Sequence, residues 1–287
     1  MDRRLPAVPM LSSLALHPGH FANLAHQFHT PYPIPHTPYP VPYLSIVIPF
    51  YNEEECLVAV CEEVRGVMDG RVAGGWELVM VDDGSRDKTP QLIDELAAKH
   101  PEFRAVHLIP NSGQSAALEA GFRAARGEVI GTLDGDGQND PADLLPLIEE
   151  MKSRGVDMMC GVRARRADNW VRRASSRIAN RIRARVLGDN ITDVGCSMRV
   201  FKRGCLQNIG FFRNAHRYFP ALFIMRGFRV AETPVKHRVR SAGMSKYGGG
   251  INSRLWVGIA DLLGVYWMKR RALKYATRES KGAGDGG

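Results

Sequence analysis

From residue 44 onward, short apolar runs typical of β-strands alternate with longer runs that have the periodicity of helices. The strand-like runs cover 44–50, 76–81, 103–109, 128–133 and 157–161, and the helix-like runs cover 53–68, 90–100, 113–125 and 141–153. This alternation predicts an α/β fold with a mostly parallel sheet flanked by helices. Ligands bind at the carboxyl ends of strands in such sheets, so the residues after each strand are the first candidates for a functional site.

The two ends of the chain differ in composition from this central part. Residues 1–43 hold nine of the 17 prolines. Prolines at this density favour an extended conformation and exclude helices and strand ladders. We therefore expect a disordered arm over 1–43, one folded domain over 44–250, and a helix with a flexible tail over 251–287.

The apolar stretch 255–268 predicts an amphipathic helix. It is too short to span a bilayer, and Asp261 interrupts it. Trp256 and Trp267 lie near its ends, and three basic residues follow at 269–271. Aromatic ends and a trailing basic cluster are typical of a helix that lies in a membrane surface. Packing against the folded domain or against a partner subunit is the alternative.

The charge of the chain predicts an anionic partner. The formal net charge is +9, and nine arginines lie between residues 163 and 185. Arg173, Arg177, Arg181 and Arg185 recur every four residues, which places them on one face of a helix. Such a stripe suits an anionic membrane surface or a lipid phosphate. It also suits RNA, but no aromatic platform for bases accompanies it, so we expect no nucleic-acid partner.

The most specific motif follows the fourth predicted strand, where an apolar run ends in Asp134-Gly135-Asp136. Two carboxylates at the exit of a buried strand can hold Mg²⁺ or Mn²⁺ and leave coordination positions for phosphate oxygens. A protein that brings such a cation to a diphosphate would act on a nucleotide-activated substrate. A turn of solvated acids that caps the strand is the alternative interpretation.

Polar residues also follow the first two predicted strands. Tyr51 and Glu53 put an aromatic ring and a carboxylate where a nucleotide base could dock. Asp82 and Asp83 end the second strand, where an acid can accept hydrogen bonds from a base or a ribose. Ser85 or Thr89 could cap the next helix, and a simple capped turn is the alternative for this motif.

Together these motifs resemble glycosyltransferase family 2, which has the GT-A fold. The resemblance rests on SIVIPFYNEEE (45–55), VDDGSRDKT (81–89), NSGQSAALEAGFRAARGEVIGTLDGDGQNDP (111–141) and RVRSAGMSKYG (238–248). Within the family, the chain is most similar to the polyprenyl-phosphate sugar synthases, the group that includes dolichol-phosphate mannosyltransferase. The resemblance implies a metal-dependent, inverting transfer of a sugar from a nucleotide diphosphate of UDP or GDP type to polyprenyl phosphate.

The same resemblance assigns roles to individual residues. By the resemblance, Pro49, Tyr51, Glu53 and Asp83 would contact the nucleotide. Asp82, Ser85 and Gln114 are further candidates for binding the nucleotide or its diphosphate. The residues expected to bind the metal and the diphosphate are Asp134, Asp136 and Gln138. Arg163 and Arg177 would hold the lipid phosphate.

Three further basic residues and one acid complete the predicted site. Arg199 and Lys202 could neutralise the diphosphate, and Lys246, within the glycine-rich stretch 240–250, could swing onto it as the site closes. Asp193 is the candidate general base if the acceptor is a hydroxyl group. A phosphate acceptor is already anionic, so in that case Asp193 would only position other groups.

The sequence therefore predicts a glycosyltransferase that acts as a peripheral protein on the cytoplasmic face of a membrane. The cysteine pattern agrees with a cytoplasmic location, because the five cysteines form no CxxC pair and no zinc-ligand spacing. Two alternatives stay open: transfer to a sugar or protein hydroxyl with Asp193 as base, and a catalytically inactive membrane-associated scaffold. Homo-oligomerisation is compatible with the sequence.

Overall fold

The computed structural model describes residues 41–163, 180–207, 209–238 and 251–272. The strands within these ranges are β1 Leu44–Phe50, β2 Trp76–Asp82, β3 Phe103–His107, β4 Val129–Thr132, β5 Met158–Arg163, β6 Arg199–Lys202 and β7 Val230–Val235. The helices are α1 Leu57–Met68, α2 Thr89–Lys99, α3 Gln114–Ala124, α4 Leu144–Ser153, α5 over 180–187, α6 Phe219–Met225 and α7 Ile251–Arg271. Short 3₁₀ turns cover Pro141–Asp143, Arg203–Leu206 and Ala215–Arg217.

These strands form one sheet with the order β3-β2-β1-β4-β6-β5-β7. Of the described strands, only β6 runs antiparallel to its neighbours, which confirms the predicted mostly parallel α/β sheet. The strand order reverses between β1 and β4, because β2 and β3 lie on one side of β1 and the later strands lie on the other. A crevice opens outside the carboxyl ends of the strands at such a point, and the predicted site residues follow β1, β2 and β4.

Alternating side chains of the central strands bury both faces of the sheet. Ile46 and Ile48 of β1 face a core that includes α1, α2 and α4, whereas Val47 faces a second core that includes α3 and α6. The second core is rich in phenylalanine, and the rings of Phe122 and Phe201 meet edge to face with centroids 5.4 Å apart. Burial on both faces explains why the central strands read as continuous apolar runs.

A buried ion-pair network ties together the strands at their amino ends. The carboxylate of Glu77 on β2 accepts hydrogen bonds from Ser45 Oγ at 2.6 Å and from the backbone N–H of Arg126 at 2.7 Å. The guanidinium of Arg126 adds an ion pair at 2.7 Å. Glu77 is 1% exposed, so its charge depends on these partners.

Several predicted elements differ in their bounds from the observed ones. Helix α1 begins at Leu57 rather than at residue 53, because residues 53–56 form a turn that is bonded to the loop after β2. The helix predicted over 141–153 starts as a 3₁₀ turn before α4. Strands β6 and β7 lie in a part of the chain for which the sequence analysis predicted no strands.

The C-terminal helix α7 is longer than the predicted stretch 255–268 and packs through one face. Val265 is fully buried in the second core, with Leu262 and Met268 beside it. Trp256 is 70% exposed and Trp267 is 62% exposed. In the described ranges, no helix combines the length and the apolar character needed to cross a bilayer. The predicted arm falls outside the described residues, except for positions 41–43.

Candidate active site

The loops after β1 and β2 are bonded to each other. The backbone N–H of Asp83 donates to Phe50 O at 2.9 Å. The backbone N–H of Asn52 donates to Ser85 Oγ, and that of Glu53 donates to Thr89 Oγ1, both at 2.9 Å. Ser85 or Thr89 was expected to cap the next helix, but the N-cap position of that helix has no side-chain cap, and both hydroxyls accept from the β1 loop instead. The two predicted nucleotide-binding loops therefore form one rigid wall of the crevice.

Asp82 and Asp83 are both buried, and their carboxylates contact different residues. Asp82 Oδ1 accepts from the backbone N–H of Ser85 at 2.9 Å, and Asp82 Oδ2 lies 3.4 Å from His107 Nδ1. Asp83 Oδ1 accepts the backbone N–H groups of Ser112 and Gly113, at 2.9 and 3.0 Å. Burial raises the pKa of Asp83 above its ordinary value, and these two hydrogen bonds oppose that shift.

A cavity of about 740 Å³ opens beside these loops at the carboxyl ends of β2 and β3. Three of the predicted nucleotide-binding residues, Tyr51, Asp82 and Ser85, line it together with His107 and Asn111. Its volume is within the range of pockets for small ligands and cofactors. The acids at 134 and 136 are outside its lining.

The acid pair follows β4, and the glycine between the two acids is required by packing. A Cβ atom on Gly135 would lie 2.5 Å from Phe50 Cδ1 and 2.9 Å from Pro49 O. The thiol of Cys56 donates to Gly135 O at 3.2 Å. The turn with the two acids is therefore pressed against the end of β1, next to the predicted nucleotide-binding loop.

Asp134 is held in place by two amide side chains. Gln114 Nε2 donates to Asp134 Oδ1 at 3.0 Å, and the backbone N–H of Asp134 donates to Asn139 Oδ1 at 2.9 Å. Burial and then the charge of Asp136 raise the pKa of Asp134 to about 6. A hydrogen bond from Ser197 and the charges of Arg199 and Arg163 lower the pKa of Asp134 and so oppose this shift.

This donor set fits a hard divalent cation. Two neighbouring carboxylates that repel each other gain from a cation between them, and Mg²⁺ or Mn²⁺ commonly takes one or two protein carboxylates plus substrate phosphates. Among the residues that the structure describes, no group of three or more His, Cys, Asp or Glu side chains could hold a metal. Asp134 and Asp136 would therefore supply the acidic ligands and leave the remaining positions to other oxygens.

Gln138, predicted as a third metal ligand, is turned toward another segment. Its side-chain Nε2 donates to the backbone carbonyl of Arg238 at 3.3 Å. The backbone carbonyl of Gln138 accepts from the backbone N–H of Arg238 at 2.9 Å. Arg238 also pairs with Asp140 at 2.8 Å. In this arrangement the side chain of Gln138 fixes residue 238 beside the acid pair and does not contact Asp134.

Arg163 and Asp193 form a bidentate ion pair. Arg163 Nε and Nη2 donate to the two carboxylate oxygens of Asp193, each at 2.8 Å. Burial alone would lower the pKa of Arg163, but the hydrogen bonds and the charge of Asp193 raise it above its ordinary value. The backbone N–H of Asp193 donates to Glu232 Oε1 at 3.2 Å. Asp193 is thus a counter-ion that orients Arg163, an arrangement that disfavours its use as a general base.

The two basic residues of β6 lie at opposite ends of that strand. Arg199 pairs with Thr132 at the carboxyl end of β4, and its guanidinium donates to His216 O at 2.6 Å and to Val194 O at 3.0 Å. Lys202 pairs with Val129 at the other end, and its Nζ binds Asp157 Oδ1 at 2.8 Å. The prediction that Lys202 neutralises the diphosphate is corrected, because an antiparallel strand carries it away from the acid pair.

Two predicted site residues, Arg177 and Lys246, lie outside the described residues. Of the predicted basic stripe, Arg181 and Arg185 are on α5 and are exposed. Arg183, between them, is buried and forms an ion pair with Asp189. The nine arginines therefore include at least one with a structural role.

Two residues near the site were not predicted from the sequence, and one of them is bonded directly to Asp134. Asn139 is 5% exposed, and its Oδ1 accepts both the backbone N–H of Asp134 and the hydroxyl of Ser197, the latter at 3.0 Å. Its place inside DGDGQND could have indicated this role. His216 contacts Ser115 across 101 positions of sequence, a separation for which no local pattern gives a signal.

Comparison with known proteins identifies the family. The model described as glycosyl transferase family 2 matches residues 45–210. A dodecaprenyl-phosphate galacturonate synthase of Rhizobium johnstonii is 36% identical, over 77% of this chain and 65% of its own length. An undecaprenyl-phosphate 4-deoxy-4-formamido-L-arabinose transferase of Edwardsiella ictaluri is 35% identical, over 69% of this chain and 61% of its own. The chain thus spans less than two thirds of the length of these curated relatives.

Solved structures agree with the fold. A mannosyltransferase of Pyrobaculum calidifontis, in complex with GDP-Man and Mn²⁺, matches with a TM-score of 0.56 and 20% identity, over 90% of this chain and 72% of that one. A glucosyl-3-phosphoglycerate synthase of Mycobacterium tuberculosis, in complex with Mn²⁺, UDP and its product, matches with a TM-score of 0.58 and 17% identity, over 81% of each chain. At these identities the likeness shows the fold, and it confirms the predicted architecture.

Proposed function

Because the chain belongs to glycosyltransferase family 2, we propose that it transfers a sugar from a nucleotide-diphosphate sugar to polyprenyl phosphate. The observation that carries the proposal is the position of Asp134, a half-buried acid at the carboxyl end of β4 that is bonded to Gln114 and to Asn139 and is followed by a second acid, Asp136. Two relatives that are named for polyprenyl-phosphate sugar transfer support the acceptor. The neighbours with bound Mn²⁺ and UDP or GDP-Man support the cation and the donor.

The proposed reaction is a single in-line displacement with inversion. An anionic oxygen of the lipid phosphate attacks the anomeric carbon, a new carbon–oxygen bond forms, and the bond from that carbon to the diphosphate breaks. The nucleoside diphosphate leaves with the bonding electrons, and no proton has to be removed from the acceptor. A divalent cation, when bound to Asp134 and Asp136, would supply charge neutralisation for the leaving group.

The other residues of the chain would bind and orient the substrates. Tyr51 and Glu53 would contact the nucleotide, with Asp83 fixing the wall behind it. Arg163, aimed by Asp193, would place the attacking phosphate, because a guanidinium matches phosphate oxygens in a bidentate manner. Arg177 and Lys246 keep their predicted roles, at the lipid phosphate and at the diphosphate, as proposals.

The test of this proposal is transfer to undecaprenyl phosphate from a panel of UDP- and GDP-sugars with Mg²⁺ or Mn²⁺. We expect a sugar-phosphate lipid from the wild-type protein and a loss of at least about 100-fold in Asp136→Ala, since the leaving-group charge is then poorly stabilised. Glu55→Gln, an exposed acid in the loop before α1, is the matched control and should keep full activity. Undiminished transfer by Asp136→Ala, or in excess EDTA, would contradict the metal role.

The ion pair with Arg163 disfavours the alternative in which Asp193 deprotonates a hydroxyl acceptor. The variant Asp193→Asn distinguishes this general-base role from the role of orienting Arg163. If Asp193 orients Arg163, the variant should raise the KM for lipid phosphate by roughly 5- to 30-fold, since weakened charge-assisted hydrogen bonds cost about 1–2 kcal/mol. If Asp193 is a general base, kcat should instead fall by about 10²–10⁴-fold. Calorimetry that detects no nucleotide-sugar binding with Mn²⁺ present would favour an inactive scaffold.

We also propose that α7 holds the protein on the cytoplasmic face of an anionic membrane. The face of α7 opposite Val265 presents Trp256, Leu263 and Trp267 to solvent, and exposed basic residues follow at 270 and 271. Aromatic residues and a basic end suit the interface of an anionic bilayer. This location would bring the crevice to a lipid acceptor.

Sedimentation with lipid vesicles tests this location. The wild-type protein should bind vesicles that contain phosphatidylglycerol and should bind purely zwitterionic ones more weakly. The double variant Trp256→Ser and Trp267→Ser should lose most binding, and Val58→Ser on the exposed side of α1 is the control. Equal binding by both variants would show that α7 is not the docking helix.

A further inference from the structure

The 3₁₀ turn Ala215–Arg217 lies against the start of α3 and has no role in the function proposed so far. The hydroxyl of Ser115 lies 2.7 Å from Nδ1 of His216, and the backbone N–H of His216 points to the same hydroxyl oxygen at 3.3 Å. Ser115 is 6% exposed. His216 is therefore bonded to one buried side chain twice, once through its ring and once through its backbone N–H.

The partners of the Ser115 hydroxyl indicate which ring nitrogen of His216 carries the proton. The oxygen accepts from the backbone N–H of His216, and among the described residues Nδ1 is the acceptor that the hydroxyl hydrogen can reach, so the hydroxyl donates to Nδ1. A neutral imidazole that accepts at Nδ1 carries its hydrogen on Nε2. Burial and the neighbouring charges of Arg217 and Arg199 lower the pKa of His216 to about 3, which keeps the ring neutral at physiological pH.

Two neighbours of His216 connect it to the acid pair. Ser115 directly follows Gln114, whose amide donates to Asp134 Oδ1 at 3.0 Å. From the other side, the guanidinium of Arg199 holds the carbonyl of His216 at 2.6 Å, and the charge of Arg199 also acts on Asp134. His216 is thus held between Ser115, the neighbour of Gln114, and Arg199, and each of these connects it to the surroundings of Asp134.

We propose that His216 is a substrate-contacting residue that donates a hydrogen bond from Nε2–H to an anionic phosphate oxygen. The proposal rests on the proposed function, and both substrates carry such an oxygen: the donor in its diphosphate and the acceptor in its lipid phosphate. Within the described part of the chain, the hydrogen bond of the imidazole ring is the one to Ser115, and His216 as a residue is half-buried. A neutral donor binds an anion without a second charge that would have to be desolvated.

Three variants of the full-length protein test this role. His216→Ala removes the donor, and His216→Gln keeps an N–H group near the position of Nε2. Tyr218→Phe is the matched control in the same turn, because its hydroxyl bonds Gly258 O on α7 and not Ser115. We expect His216→Ala to lose about 10- to 100-fold in kcat/KM, the value of a hydrogen bond to a charged group. His216→Gln should recover most of that loss, and Tyr218→Phe should match the wild type.

Two measurements identify which phosphate is bound. Calorimetry with UDP or GDP and Mn²⁺, without acceptor, reports contact with the diphosphate, and the KM for undecaprenyl phosphate reports contact with the acceptor. A loss in either one supports the proposal. Equal values for His216→Ala and the wild type would overturn it, and so would equal losses in the Ala and Gln variants together with a lowered Tm. A wild-type protein that neither binds nucleotide nor transfers sugar would overturn the proposed function as well, whereas an active wild type with an equally active His216→Ala overturns this inference alone.

Discussion

Removing the charge of Asp134 should stabilise the metal-free protein while it abolishes transfer. Burial and the charge of Asp136 raise the pKa of Asp134 from 3.8 to about 6. The folded protein then binds this proton more tightly than the unfolded chain does. Stability is therefore lost as the pH rises through about 6, by up to about 3 kcal/mol, because one pKa unit is worth ~1.4 kcal/mol.

Asp134→Asn keeps an oxygen that can accept from Gln114 but carries no charge, so it should escape this loss. In EDTA, the stability difference between the variant and the wild type should be about 2 kcal/mol larger at pH 7.5 than at pH 4.5, because about 1 of the 3 kcal/mol is already lost at pH 4.5. For a chain of this size the change corresponds to a shift in Tm of roughly 6 °C. Comparing the difference at two pH values removes the effect of the substitution on packing.

Urea denaturation at the two pH values, with and without Mn²⁺, measures this difference. Manganese should raise the stability of the wild type at pH 7.5, by about 2.7 kcal/mol at one hundred times its Kd, and should do little for the variant. Glu55→Gln, an exposed acid, should behave as the wild type at both pH values. A difference between Asp134→Asn and the wild type that does not change with pH would refute the reasoning.

Three further results are expected. Gly135→Ala should reduce transfer by at least about tenfold and lower stability by roughly 1–3 kcal/mol, since the new methyl group would meet Phe50 Cδ1 at 2.5 Å; activity equal to the wild type would show that the turn can move aside. Glu77→Ala should lower the free energy of unfolding by about 3–5 kcal/mol, because Arg126 is left buried without its counter-ion, and a loss below about 1 kcal/mol would contradict the network. The affinity for Mn²⁺ should fall as the pH drops below about 6, because the metal competes with the proton of Asp134, and a flat affinity between pH 7 and pH 5 would contradict this competition.

The part of the fold that the sequence predicts best is the half with continuous apolar strands. Both faces of β1, β2 and β4 are buried, so these strands could be predicted from their continuous apolar runs. Polar residues follow each of them, which indicated the edge of the sheet that carries the site. β6 has four residues and includes Arg199 and Lys202, a pattern that also occurs in loops. Its antiparallel direction depends on a long connection, which explains the error for Lys202.

Within the site, the sequence indicated which residue types meet but not which of them pair. Asp193 was expected beside the acceptor, and only the folded chain shows that both of its oxygens are bound to Arg163, 30 positions away. Gln138 and Asn139 are adjacent amides in the same turn, but the one that is bonded to Asp134 is Asn139. Pairings of this kind depend on side-chain direction, which motif spacing does not determine.

The central claim is that one divalent cation is held by the two acids after β4 and joins them to the diphosphate of the donor. The most direct measurement is anomalous diffraction from crystals grown with Mn²⁺ and either UDP or GDP. The account predicts a single manganese peak coordinated by Asp134 and Asp136 and by oxygens of the diphosphate. A diphosphate bound elsewhere, or manganese absent from this pair while the nucleotide is present, would contradict it.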